Sequence, residues 1–311
     1  LFFNVGKYKD GVMSIPAAYL AVVILWSTTP LAVKWSAEGS GFLFGVTSRM
    51  VIGTLLTLAV LAALRIRMPW HKRAIQTYLF SSLGIFGAMF CVYWSSQFIP
   101  SGFISVLFAL APLFTSVFAA IWLGERSLSV NKVLGLLAGI AGLAVMFQSA
   151  ITLGEDGIYG IGGLLVAVAL FSLSGVWVKR LGAEMHALAA NAGGLLVASA
   201  LYLLVWFIFD GKLPAEIPLR ALGSIIYLGV LATAVGFALY MYLLKRLPVA
   251  TLALVTLITP ATALILGQLL NDEVVGPEVW YGAGLISAGL VLHQWSSRLT
   301  PVPSASEPAD S

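Results

Sequence analysis

The chain has 311 residues, 60% of them apolar and 10% charged, with a mean hydropathy of +0.98. Water-soluble domains run at roughly 45–50% apolar and about 25% charged residues, and this composition leaves too little polar surface to cover a core. Soluble enzymes, nucleic-acid binders and disordered chains are thereby effectively excluded, and the formal charge of +4 reads as cationic loops facing anionic lipid rather than as an acidic partner.

In chain order, residues 1–14 lack the long apolar core and small-residue cleavage site of a signal peptide and read as an appended N-terminal segment outside the fold. Ten apolar windows long enough to span a bilayer follow, at roughly 15–35, 42–64, 75–98, 101–123, 132–149, 158–178, 187–209, 220–243, 249–270 and 278–295. Strand-type alternation is absent, so helices rather than a barrel satisfy the backbone in lipid. The connections are too short for a soluble domain, and 300–311, rich in Pro, Ser and acid, reads as a disordered tail. Lys and Arg set the orientation. Arg65, Arg67, Lys72, Arg73, Arg126, Lys132, Lys179, Arg180, Lys245, Arg246 and Arg298 fall on one side, whereas Lys34, Lys212 and Arg220 fall on the other. The positive-inside bias therefore predicts both termini in the cytoplasm.

The sequence also repeats. Ser27, Thr29 and Lys34 recur as Ser172, Ser174 and Lys179, and Pro100, Pro112 and Glu125 recur at one constant offset as Pro248, Pro260 and Glu273. Gly135 and Gly142 then meet Gly282 and Gly289. Residues 15–149 and 150–299 are thus two copies of a five-helix unit. Five is odd, so the copies enter the bilayer in opposite directions, and Lys34 and Lys179 should lie on opposite faces. The expected fold is an all-α polytopic membrane protein, ten transmembrane helices as two inverted five-helix repeats. Such repeats are the signature of alternating-access transporters.

The ten spans, the Trp26-Ser-x-x-Pro30 start and the proline–glutamate–glycine series resemble the drug/metabolite transporter superfamily over about 17–295. The likeness is greatest to the EamA-type exporters, including aromatic amino-acid exporters of the YddG type. The resemblance implies helices one to four and six to nine around a central cavity, five and ten buttressing outside, and export of amino acids or similar metabolites from a bacterial inner membrane. Phosphate-carrying relatives hold their substrates with basic residues in the last helices. Spans nine and ten here contain no Lys or Arg, which disfavours a phosphorylated substrate.

Several residues are candidates for the solute path. Pro112 and Pro260 sit mid-helix and free the carbonyls of Phe108 and Thr256, which are either tolerated kinks, hinges, or contacts for an ammonium group. Pro30 and its mate Gly175 read as a second bend pair. Trp26, Thr29, Pro30 and Val33 share one face of the first helix, and Phe86, Phe90, Tyr93 and Gln97 share one face of the third. With Trp94, Trp177 and Tyr240 they suit an amphipathic solute, the alternative being lipid-facing packing or interfacial belting, which also accounts for Trp206 and Trp295. Ser172, Ser174 and Asn191 are polar groups at depth, for solute or for interhelical bonds.

Arg49 is the one charge clearly inside a span. It is expected to snorkel or to form a structural pair, with a substrate carboxylate as the alternative. Lys34 with Glu273, and Lys179 with Glu125, are expected to bridge when their own face is closed, as two gates. No carboxylate occupies a helix midpoint, which points to facilitated export or to proton coupling without a central acid. The stretch Gly135-x-x-x-Gly139, with Gly282, Gly284 and Gly289, lets backbones approach closely, within one chain or in a homodimer.

Enzyme motifs are absent, the histidines His71, His186 and His293 are scattered, and Cys91 is alone, so no metal, cofactor or disulfide is expected. The expected partners are small amphipathic solutes such as amino acids and the surrounding lipid, with no nucleic acid, in a monomer or homodimer. The expected function is alternating-access export, with a broad drug exporter or a passive channel as the other readings.

Overall fold

The computed structural model describes residues 14–124, 130–152, 155–244, 246–247 and 255–296. These fold into α1 (Ile15–Ser36), α2 (Phe42–Ala63), α3 (Lys72–Ser95), α4 (Ser101–Trp122), α5 (Val130–Thr152), α6 (Glu155–Leu181), α7 (Ala187–Phe209), α8 (Leu219–Ile226, Tyr227–Val235 and Gly236–Leu244 in sequence), α9 (Val255–Asn271) and α10 (Pro277–Ser296). The first seven are long and apolar enough to cross a membrane, and Leu219–Val235 and Val255–Asn271 are shorter apolar helices. Every backbone group inside hydrocarbon needs an internal partner, and the described residues of the spans meet that need with helices. Helix starts are set locally. The Ser14 hydroxyl and the His71 ring nitrogen accept from Ala17 and Ala74 backbone N–H groups, while α4 and α8 begin immediately after Pro100 and Pro218.

Two short contacts fix which ends lie together. Lys34 Nζ donates to the Ile99 carbonyl at 3.1 Å, and Gly160, near the start of α6, packs against Phe98 and Ile99. Lys179 lies nineteen residues further along α6, roughly 28 Å away at the helical rise. Lys34 and Lys179 therefore occupy opposite faces of the bundle.

The packing maps onto itself when the first five helices are exchanged with the last five. Helix α1 packs on α8 and α9, and its mate α6 packs on α3 and α4; α2 meets α7, α4 meets α9, and α5 meets α10. The α5–α10 seam shows the inversion at atomic scale. A Cβ built on Gly135 would lie 2.5 Å from the Gly289 carbonyl oxygen, and one on Gly142 would lie 2.6 Å from that of Gly282. Since Gly135 is the sequence mate of Gly282 and Gly142 of Gly289, each contact is the other turned over. The helices run antiparallel, with backbones closer than any side chain would permit.

Three spans depart from regular α-helix. In α4, just before Pro112, whose ring cannot donate, the Ala109 N–H is shared between the Ser105 and Val106 carbonyls and the Leu110 N–H bonds three residues back to Leu107. In α3 and α8 the stretches Leu83–Ala88 and Tyr227–Val235 are π-helical, at equivalent places in the two copies. Such segments gather at functional sites. Nothing in the apolar periodicity announces them.

Candidate functional site

The π stretches flank a central cavity of about 470 Å³, within the range of sites for small molecules. Its wall is built from α1 (Trp26), α2 (Arg49, Met50), α3 (Ser81, Gly84, Ile85, Met89), α4 (Thr115), α6 (Phe171, Ser172, Ser174, Gly175, Val178), α7 (Asn191, Leu195) and α8 (Ala232, Thr233, Tyr240). Among the described residues α5, α9 and α10 contribute none; for α5 and α10 this is what the resemblance implied, whereas α9, expected around the cavity, stays off this wall. The lining runs from mid-depth toward the Lys179 face: Val178 is in the last turn of α6, Asn191 in the second turn of α7, and Tyr240 near the end of α8.

The wall combines rings with a few polar groups. Trp26 and Tyr240 meet across α1 and α8 with ring centroids 5.2 Å apart. The Ser174 hydroxyl donates to the Phe80 carbonyl at 2.7 Å and that of Ser172 to Ala111 at 3.1 Å, tying α6 to α3 and α4. Ser27, the mate of Ser172, bonds Thr262 of α9 at 2.6 Å, the same tie in the other copy. Gly84 lets α3 approach Ser174, since a Cβ there would meet its Oγ at 2.8 Å.

Arg49 corrects the expectation of snorkelling or structural pairing. Its residue is 8% exposed, its Nε and Nη1 have no hydrogen-bond partner, and no ion pair to it exists among the described residues. The reason is the close approach of α2 and α8, where Gly229 sits against the Arg49 carbonyl and Gly53 against Thr233, so this face of α2 is enclosed by protein. A guanidinium held there has no route to the interface. It lines the cavity instead.

The Lys34 face is closed by a hub around Glu273, which is 5% exposed in its side chain. Asp272 takes a left-handed φ of +49°, a turn geometry Asp tolerates, and folds the chain so that the Glu273 N–H donates to the Gly267 carbonyl at 3.2 Å. The carboxylate then lies where a side chain on Gly267 would be. Its Oε2 accepts from the Ser101 N–H at 2.8 Å and hydroxyl at 2.9 Å, its Oε1 accepts from Asn271 Nδ2 at 3.0 Å, and Lys34 Nζ stands 3.4 Å from Oε1. Trp35 Nε1 donates to Asn271 Oδ1 at 2.8 Å, which locks the α1 end to the same group. Arg220 adds a peripheral clasp, bidentate on Glu38 and 5.2 Å above the Trp35 ring.

Of the residues expected from sequence, the structure brings Trp26, Arg49, Ser172, Ser174, Gly175, Asn191 and Tyr240 to the cavity and leaves the others off its wall. Phe90 packs on Phe42 and Phe86, Tyr93 is fully buried against Ser36, and Trp94 lies edge-on to Phe98 and over Gly163. Gln97 is exposed at the Lys34 end and donates to the Trp94 carbonyl. Thr29 donates back to Leu25 at 2.6 Å, and Thr256 lies in the first turn of α9. Phe108 supports the wall from behind, edge-on to Phe171 at 5.7 Å. Trp177 stacks on Phe80 at 4.9 Å beneath Arg180. Pro30 and Pro260 are buried inside α1 and α9, and Pro112 starts the second half of α4; none of the three faces the cavity. Lys34 and Glu273 come together, whereas the partner expected for Lys179, Glu125, lies outside the described residues.

A solved crystal structure has the same fold, with a TM-score of 0.62 and 22% identity over 92% of this chain and 99% of its own. In sequence, the chain is 25% identical over 279 residues to the uncharacterized transporter YoaV of Bacillus subtilis (strain 168), covering 89% of this chain and 95% of that one. It is 26% identical over 281 residues to the probable terminal-alkyne amino-acid exporter of Streptantibioticus cattleyicolor, covering 88% and 91%. The EamA-like transporter family matches twice, at residues 13–148 and 158–293, one match for each inverted half, and the chain belongs to that family.

Proposed function

We propose that this transporter exports amino acids and related small amphipathic metabolites across a bacterial inner membrane by alternating access, with both termini in the cytoplasm. The observation that carries the reading is the asymmetry of the solute path. The cavity runs toward the Lys179 face, while the Glu273 hub closes the Lys34 face. The Lys179 face carries Arg65, Arg67, Lys72, Arg73, Lys132, Lys179, Arg180 and Arg246, so the positive-inside bias makes it cytoplasmic. In that orientation the conformation is the one that loads solute from inside. A near-equivalent second half supplies the opposite state, in which the Lys34 side opens and the Lys179 side closes. The amino-acid class is supported by the Streptantibioticus relative, named a probable terminal-alkyne amino-acid exporter, and by a cavity that mixes apolar rings, hydroxyls, one amide and one guanidinium.

Counterflow in proteoliposomes tests this. Vesicles loaded with unlabelled L-phenylalanine or L-leucine should transiently accumulate the labelled amino acid against its gradient. Simple equilibration without overshoot would identify a pore, and exchange of cationic dyes but not amino acids would identify a drug exporter.

A further inference from the structure

We infer that Arg49 is the anchor for a substrate carboxylate, which makes the preferred solutes amphipathic monocarboxylates, amino acids with apolar side chains among them; the inference rests on the transport reading and sharpens its substrate class. Arg49 is the single charged residue of α2, in the Lys34-side half of the helix and more than nine-tenths buried. A charge inside a membrane span is costly, and an unpaired buried donor adds to that cost. Structural arginines recover the cost through a carboxylate or backbone carbonyls, but the Nε and Nη1 of Arg49 have neither. The described residues lining the cavity include no Asp or Glu. The missing counter-charge is therefore what a ligand would bring.

The chemistry of that ligand follows from charge and shape. A guanidinium presents a planar fork that two carboxylate oxygens fill in parallel. One positive charge matches one negative charge, and among the described residues the lining holds no Lys or second Arg to balance a phosphate dianion. Below Arg49, toward the Lys179 face, the Trp26–Tyr240 pair and Phe171 offer rings to an apolar body. An ammonium group would meet neutral acceptors only.

The test uses the purified full-length protein and four probes: L-phenylalanine, L-phenylalaninamide, 3-phenylpropionate and inorganic phosphate. In the wild type, both carboxylates should bind at least about 10-fold tighter than the amide by calorimetry, since a charge-assisted hydrogen bond is at stake. Arg49→Gln should weaken both carboxylates about 10–100-fold and leave the amide unchanged, with Arg49→Lys intermediate. The comparison of acid with amide in the wild type needs no variant, so it decides the matter even where Arg49→Gln fails to fold. Equal binding of acid and amide, competition by phosphate as effective as by 3-phenylpropionate, or no binding of either carboxylate overturns the anchor. Phenylalanine counterflow that is indifferent to Arg49→Gln sinks the anchor and leaves amino-acid export standing. Arg49-dependent binding of 3-phenylpropionate without any amino-acid counterflow does the reverse.

Discussion

Glu273 works through more donors than its ion pair. Lys34 is one of four groups on the carboxylate, and the others are the Ser101 N–H, the Ser101 hydroxyl and the Asn271 amide. The Lys34 side chain is 29% exposed, so its Coulombic share is screened and modest. We expect Lys34→Gln to cost about 0.5–1 kcal/mol and Glu273→Ala about 2–4 kcal/mol through lost charge-assisted bonds, measured by thermal unfolding in detergent. Equal costs for the two would mean that the ion pair, not the hydrogen-bonded hub, holds this end. Exchanging the two charges should not restore transport, because a lysine at 273 cannot accept from the Ser101 backbone N–H. Pairing Lys34 with Glu273 was readable from the repeat, since both flank the same face; the fate of Arg49 was not. Snorkelling and burial look alike in a sequence when lipid and protein interior are equally apolar.

At the scale of elements, the π stretches explain why the third-helix stripe misleads. Phe86, Phe90, Tyr93 and Gln97 share a face only while the turn is constant at 3.6 residues. Leu83–Ala88 is wound more loosely, which rotates everything after it and takes Phe90, Tyr93 and Trp94 off the wall while Gly84 and Ile85 stay on it. Tyr202 of α7 supports this winding, its hydroxyl donating to the carbonyls of Phe86 at 2.8 Å and Ile85 at 3.3 Å. Tyr202→Phe should lower stability by about 1–2 kcal/mol, seen as a lower melting temperature in detergent, and an unchanged melt would mean that the carbonyls find other donors. The α5–α10 seam was legible, because glycines at repeat-related positions leave little else for a membrane helix to do. Gly289→Val should cost about 1–3 kcal/mol by overpacking against Gly135 and Gly139, again read by thermal unfolding, and a neutral result would mean that the helices separate freely.

For the whole molecule, the ten spans and their inversion were accessible from hydropathy and spacing, because the bilayer fixes helix length and the repeat fixes symmetry, whereas the outer position of α5 and α10 came only from the family resemblance. Which face is shut was not accessible, since one sequence encodes both states of the transport cycle. The absence of Asp and Glu among the described residues of the cavity lining bears on energetics. In sealed vesicles an imposed pH gradient should not drive amino-acid accumulation; uptake that follows the proton gradient would require a protonatable group outside the lining. The seam between Gly135 and Gly289 and between Gly142 and Gly282 has one more consequence. Each half carries, on a single helix, both complementary surfaces of that junction. Two chains consisting only of the first half, inserted head-up and head-down in one membrane, would thus own all the parts needed to clasp each other there. Fusion of the halves into one polypeptide guarantees that upright and inverted partners are made in equal number and arrive together.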